Sequence, residues 1–103
     1  MNITGEQVRA AYAQAPEEVR RTFASEETTN TIIAIQRRYQ LHIDISGVLG
    51  KQVGWLLLGL MSPMEFLGGL VDAGVSGDVA KAIVTDVNEQ IFAPLRARMQ
   101  GAP

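Results

Sequence analysis

A histidine and an aspartate two residues apart form the first pair in this sequence that could do chemistry. His42 and Asp44 lie in the segment Leu41-His42-Ile43-Asp44. A histidine oriented by a carboxylate can act as a general base or ligate a metal ion. However, the chain has no second histidine and no cysteine, and an aspartate at such a position is typical of a helix N-cap. We therefore favour a loop histidine beside Asp44 as the N-cap of the fourth helix.

The acidic segment Asp86-Val87-Asn88-Glu89-Gln90 is the second candidate. Asp86 and Glu89 lie one helical turn apart, and neighbouring carboxylates can bind a divalent cation. Helical periodicity places both on the solvated face, so we expect no metal site. Asn88 flanks an apolar stripe of the same helix. We expect its amide to hydrogen-bond a backbone carbonyl or a neighbouring helix end, as buried polar groups require.

Two arginine pairs, Arg20-Arg21 and Arg37-Arg38, could contact the phosphates of a nucleic acid. Acidic residues lie close to each pair, and no aromatic residues alternate with the basic ones. The whole chain carries 9 basic and 11 acidic residues, a net charge of −2. We expect a mixed solvated surface and no nucleic-acid binding. A small helical nucleic-acid-binding domain is the alternative function.

The sequence lacks the patterns of several common active sites. It contains no phosphate-binding loop, nucleophile elbow or HExxH zinc motif. We therefore expect no enzymatic activity, no cofactor and no small-molecule substrate. The N-terminus lacks the basic and then apolar pattern of a signal peptide, so we expect a cytoplasmic protein.

The elements that must position these residues are helices. Length and periodicity predict one domain over residues 1–103, with residues 1–4 and 100–103 frayed. The expected fold is a compact all-α bundle of five to six helices. Cap residues and apolar stripes predict a helix between Thr4 and Pro16, helices over 17–24, 45–61 and 63–73, and further helices after Ser25 and Ser76.

The fourth helix is expected to be the buried centre of the bundle. Its end, Val53 to Met61, is nine uncharged residues, which span about 14 Å. A bilayer needs about 30 Å, so we expect no membrane span. In the last helix, apolar residues recur every four positions, and Pro94 should kink the helix or end it near Ala93. That stripe consists of Ile83, Val87, Ile91, Leu95 and Met99.

Three glycines, Gly47, Gly50 and Gly54, share one face of the fourth helix. Each costs roughly 1 kcal/mol relative to alanine, which suggests that close packing requires them. The face predicts either a close crossing of two helices within the chain or the seam of a homodimer. In both cases Gly54→Leu should be destabilising.

Four apolar residues fall outside the inner stripes: Trp55, Leu58, Met64 and Phe92. Large apolar side chains that stay exposed mark interfaces. For Trp55, burial in the core is the alternative. We therefore expect a non-enzymatic protein–protein interaction or scaffolding module, which associates with a protein partner or with itself.

The segments Leu41-His42-Ile43-Asp44, Ser62-Pro63-Met64-Glu65-Phe66 and the run from Asp86 to Arg96, DVNEQIFAPLR, carry a resemblance. The chain resembles a family of uncharacterised small all-helical domains of small-genome candidate bacteria. The resemblance covers roughly residues 5–99. It implies a helical fold without an assigned activity, and it implies a structural or binding role for Asn88.

Overall fold

The computed structural model describes residues 3–101, in which no strand occurs. The helices are α1 (Gly5–Gln14), α2 (Glu17–Phe23), α3 (Glu26–Arg38), α4 (Ile43–Leu57), α5 (Pro63–Asp72), α6 (Gly77–Val87), a π-helical turn (Asn88–Phe92) and α7 (Ala93–Gly101). The backbone keeps right-handed helical torsion angles at Val87, Asn88 and Ala93. The last three elements therefore form one long helix, and the predicted all-α bundle is confirmed.

Local cap residues set most helix starts. Thr4 and Ser62 each form a capping box with the side chain three residues later. The hydroxyls of Ser25 and Ser76 accept backbone N–H groups at the starts of α3 and α6. Gly74, with φ of 106°, terminates α5 in a left-handed conformation. These predicted boundaries are therefore correct.

The predicted limits of α4 are wrong at both ends. His42 rather than Asp44 is the N-cap, and its Nδ1 accepts the backbone N–H of Asp44 at 3.3 Å. The helix ends at Leu57 rather than at Met61, because Gly59 adopts a left-handed φ of 75°. Leu60 then donates its N–H to the Trp55 carbonyl at 2.9 Å, which closes the helix as in a Schellman motif.

The core forms where α4 meets its neighbours. This helix contacts α2, α3 and α5. It contributes Leu49 and Val53, both with no exposed surface, whereas Lys51 on its outer side is exposed. The helix is therefore central without being buried on all sides. The rest of the buried apolar core is Val19, Ile35, Leu57, Met61, Phe66, Leu70, Val75, Ala80, Ile83, Val87, Ile91 and Leu95.

The glycine face of α4 does not bring another backbone close. A Cβ atom at Gly47 or Gly50 would have no neighbour within 4 Å, whereas one at Gly54 would lie 3.0 Å from Cε2 of Phe23. Gly50 and Gly54 instead line a hollow of about 290 Å³ between α3 and α4. Within the chain, the predicted close packing of the glycine face is thus limited to Gly54, which lies against the aromatic ring of Phe23. A seam between two copies stays a prediction.

The closest glycine contact lies on α5, where sequence analysis did not place one. A Cβ atom at Gly69 would collide with the side-chain amide of Gln52, including its Cδ at 3.0 Å. Gln52 is buried on α4, and its Oε1 accepts no hydrogen bond from the described residues. This amide therefore limits how closely α4 and α5 can approach at Gly69.

A π-helical turn replaces the predicted break at Pro94. In a regular α-helix the proline ring clashes with the carbonyl four residues earlier. Here the turn immediately before Pro94 is wider, and the N–H of Ala93 donates to the Asn88 carbonyl five residues back. The helix consequently continues to Gly101. Of the two outcomes predicted for Pro94, the end near Ala93 is therefore wrong, and the kink stays a prediction.

The apolar stripe of the long helix ends earlier than predicted. Its members from Ile83 to Leu95 are buried, but Met99 is 43% exposed. At the chain ends, Thr4 is a helix cap and Gln100 and Gly101 are helical, and the fraying predicted for the described end residues stays a prediction. The predicted fraying of residues 1, 2, 102 and 103 lies outside the described residues. No helix within residues 3–101 is long and apolar enough to cross a membrane.

We predict that Gly54→Leu lowers the free energy of unfolding by about 1–3 kcal/mol, because the new side chain collides with Phe23. Gly47→Leu is the matched control on the same helix, where the space is open. It should raise stability by about 0.5–1 kcal/mol, the helix-propensity gain over glycine. Chemical denaturation monitored by circular dichroism measures both. Equal effects of the two substitutions would contradict a tight contact at Gly54.

We predict that Gly69→Ala is destabilising and that Gly68→Ala, one residue earlier, is stabilising by about 0.5–1 kcal/mol. A Cβ atom added at Gly68 has open space, whereas one added at Gly69 would displace the buried Gln52 amide. Combining Gly69→Ala with Gln52→Ala should be less destabilising than the sum of the two single changes. Thermal denaturation of the five proteins, including wild type, tests this coupling. Strict additivity would show that Gln52 does not set the α4–α5 distance.

Candidate interaction surface

Two adjoining hollows form a continuous depression between α5 and the long C-terminal helix. The larger has a volume of about 360 Å³ and the smaller about 300 Å³. They share Pro63, Val84 and Thr85, so we treat them as one surface, the α5–α6 groove. The other lining residues are Leu56, Met61, Met64, Phe66, Leu67, Lys81, Val87, Asn88, Phe92 and Arg96.

The start of α5 positions one wall of the groove. Ser62 and Pro63 begin the helix, and the fully buried Phe66 and Leu70 anchor it in the core. Because successive helical residues are rotated by about 100°, this anchoring turns Met64 away from the core. Met64 is 83% exposed, the highest exposure among the large apolar residues that line the groove.

The π-helical turn positions the other end of the groove. Ile91 is buried, while the adjacent Phe92 is half-buried, packs against the core and lines the groove. Neighbouring residues of a helix are rotated by about 100°, and these two accordingly lie at different depths. Phe92 thus presents part of an aromatic ring to solvent.

Of the four predicted partner-binding residues, the structure brings two together. Met64 and Phe92 line the groove, whereas Trp55 and Leu58 do not and are half-buried against the core. The Trp55 ring is covered from outside by Lys51, whose Nζ lies 5.8 Å from the ring centroid. Trp55 therefore packs as expected for a core residue, which was the alternative interpretation of this position.

Several groove residues were missed in the sequence. Leu56 and Met61 lie in the uncharged run that was assigned entirely to the buried helix, and Val84 was assigned to the inner stripe of the last helix. The missed signal is Gly59. A glycine followed shortly by a capping Ser-Pro pair is typical of a helix end before a new helix, so the uncharged run is not one continuous helix.

The charged side chains that line the groove are both cationic. Lys81 lines the smaller hollow and Arg96 the larger, and no carboxylate lines either. Arg96 donates from Nη2 to Oδ1 of Asn88 at 3.1 Å. Asn88 is therefore exposed and bonded to its own helix, and the prediction that it bonds a backbone carbonyl or a neighbouring helix end is wrong.

Asp86 forms a separate polar cluster and is not on the solvated face. It is 7% exposed, and its Oδ2 accepts hydrogen bonds from the Tyr39 hydroxyl at 2.6 Å and from Arg38 Nη1 at 3.3 Å. The predicted solvation of Asp86 is wrong, because the end of α3 covers it. The hydrogen bond to Asp86 raises the pKa of Tyr39, and burial and the carboxylate charge act in the same direction.

Many cationic groups elsewhere are satisfied inside the chain. Arg21 lies 2.9 Å from Glu17, and Arg98 lies 3.4 Å from Glu18 and donates to Thr22. The arginine pairs of α2 and α3 are thus partly neutralised by carboxylates, which gives no support to the alternative of nucleic-acid binding. His42 is exposed and serves as a helix cap. Residues 3–101 contain no group of three or more His, Asp or Glu side chains that could hold a metal ion.

We predict that Asp86→Asn lowers the pKa of Tyr39, measured from tyrosinate absorbance in a Tyr12→Phe background. Because the pKa of Tyr39 is raised in the folded state, its stabilising contribution is present below the ordinary tyrosine pKa and is lost as pH rises through the folded value. Wild type should therefore lose stability in the alkaline range more steeply than Asp86→Asn. An unchanged Tyr39 titration in Asp86→Asn would contradict this hydrogen bond.

Comparison with protein-family models, with curated proteins and with solved structures finds no match to this chain. The resemblance to a family of small helical domains therefore stays an interpretation of its motifs. A function for this chain is therefore inferred from the geometry of the α5–α6 groove.

Proposed function

We propose that this domain is a non-enzymatic protein-interaction or scaffolding module that binds an apolar helical segment of a partner protein in the α5–α6 groove. The observation that carries the proposal is Met64, 83% exposed at the rim of a continuous apolar depression. Exposed apolar side chains that adjoin a concave surface are typical of binding sites.

The shape of the groove supports a helix as the bound element. The long helix lines one side of the groove, and the first turns of α5 with Leu56 and Met61 line the other. An amphipathic helix can lay its apolar face into such a groove and use residues spaced by three and four positions as anchors. Met64 lines one of the two hollows and Phe92 the other, so each offers an apolar contact to such a helix.

The capping of α5 supports the same proposal. The Ser62–Glu65 capping box holds the first turn of this helix with reciprocal hydrogen bonds of 3.1 and 2.9 Å. Met64 is therefore presented from a fixed backbone, which reduces the entropy cost of binding. A side chain that contributes little to the core and sits on a rigid turn is suited to contact a partner.

The experiment is selection of a displayed library of random peptides, about 16 residues long so that a helix spans the groove, against the wild-type domain. Met64→Gln should weaken binding of the selected peptides about tenfold, a loss typical of an interface anchor. Its control is Ile43→Gln, because Ile43 is 79% exposed in the first turn of α4 and lines neither hollow.

Equal binding by wild type, Met64→Gln and Ile43→Gln would show that the groove is not the interaction site. Failure to select any peptide would also argue against the proposal. Sedimentation velocity addresses self-association: a dimer that Met64→Gln dissociates and Ile43→Gln does not would identify a second copy of the chain as the occupant.

A further inference from the structure

We infer that the segment bound in the α5–α6 groove is an acidic amphipathic helix whose carboxylates pair with Lys81 at one end and Arg96 at the other. This inference rests on the proposed function and specifies the chemistry of the partner. Its basis is charge complementarity, because both charged side chains lining the groove are cations, although the chain as a whole has a net charge of −2.

The cationic charge at the groove is not neutralised by the described part of the chain. Neither Lys81 nor Arg96 forms a salt bridge within residues 3–101. Arg9, Arg20, Arg37 and Lys51 form none either, but of these unpaired cations only Lys81 and Arg96 line the groove. The charge at the two rim positions is thus available to a carboxylate of another molecule.

Arg96 is also positioned in advance. Its Nη2 donates to the neutral Oδ1 of Asn88 at 3.1 Å, which restrains the guanidinium without cancelling its charge. An arginine held in this way loses less conformational freedom when it pairs with a carboxylate. Asn88 therefore acts as a positioning residue for Arg96.

The separation of the two cations sets the length of the partner helix. Along α6, the π-helical turn and α7, the backbones of Lys81 and Arg96 are about 22 Å apart at a rise of about 1.5 Å per residue. A partner helix of about 16 residues covers this distance. Its apolar residues would lie against Val84 and Phe92 in the middle, and its acidic residues would lie near the two ends.

The test uses the peptides selected against the wild-type domain together with two designed helical peptides. The designed pair shares one apolar face and differs only in carrying glutamate or lysine at both ends. We expect the selected sequences to be enriched in acidic residues flanking apolar ones. We also expect the glutamate peptide to bind at least about tenfold more tightly than the lysine peptide, with a difference that shrinks as added salt shortens the screening length from about 10 Å at 0.1 M to about 3 Å at 1 M.

The double variant Lys81→Glu/Arg96→Glu should reverse this preference and bind the lysine peptide more tightly. The matched control, Arg9→Glu/Arg37→Glu, changes the net charge equally at exposed cations outside the groove and should retain the preference for the glutamate peptide. Circular dichroism and melting temperature confirm that each variant is folded.

The possible failures are distinguishable. Selected peptides that lose affinity in Met64→Gln but show no acidic enrichment would overturn this inference and leave the proposed function intact. Equal binding of the two designed peptides by the wild type, or an unchanged preference in Lys81→Glu/Arg96→Glu, would overturn it as well. Peptides that bind but are insensitive to Met64→Gln would overturn the proposed function itself.

Discussion

The register of the long C-terminal helix is the constraint on which the rest of the domain depends. Four apolar residues spaced by four, Ile83, Val87, Ile91 and Leu95, must all face the core. In an α-helix each step of four rotates about 40° beyond a full turn, so by Leu95 the stripe would have moved to the side. The π-helical turn adds one residue to a single turn and reverses about 100° of this drift, which returns Leu95 to the core.

The register set by the π-helical turn determines the positions of several elements at once. α7 packs against α2, and the π-helical turn packs against α3. Without the extra residue, Leu95 would leave its buried position and Arg98 would lose its contacts with Glu18 and Thr22. The same turn gives Phe92 its half-buried position in the groove. The geometry that closes the core therefore also shapes the surface proposed to bind a partner.

Features that depend on residues close together in the chain could be predicted from the sequence. Features that depend on residues far apart in the chain could not. The starts of α5 and α6 were predictable because Ser62 and Ser76 bond to residues within the next helical turn. The burial of Asp86 was not predictable, because it depends on Tyr39, which lies 47 residues away in the chain. For the groove, Met64 and Phe92 were found because they fall outside the apolar stripes. Trp55 fell outside as well, but α4 borders helices on more than one side, so being off one stripe does not expose a residue.

The spacing of four in the last helix was visible from the start, and its conflict with the α-helical period was the missed signal of the π-helical turn.

The contact between Gln52 and Gly69 couples the position of α5 to a residue of α4 that lies outside the groove. The Gln52 amide is buried, its oxygen accepts no hydrogen bond from the described residues, and its contact with Gly69 limits how close α5 comes to α4 at this point. Gly69 and Met64 lie on the same short helix, about 7–8 Å apart along its axis. A rigid helix transmits a displacement at one end to the other. Changes at positions 52 and 69, neither of which lines the groove, would therefore widen or narrow the surface that is proposed to bind a partner.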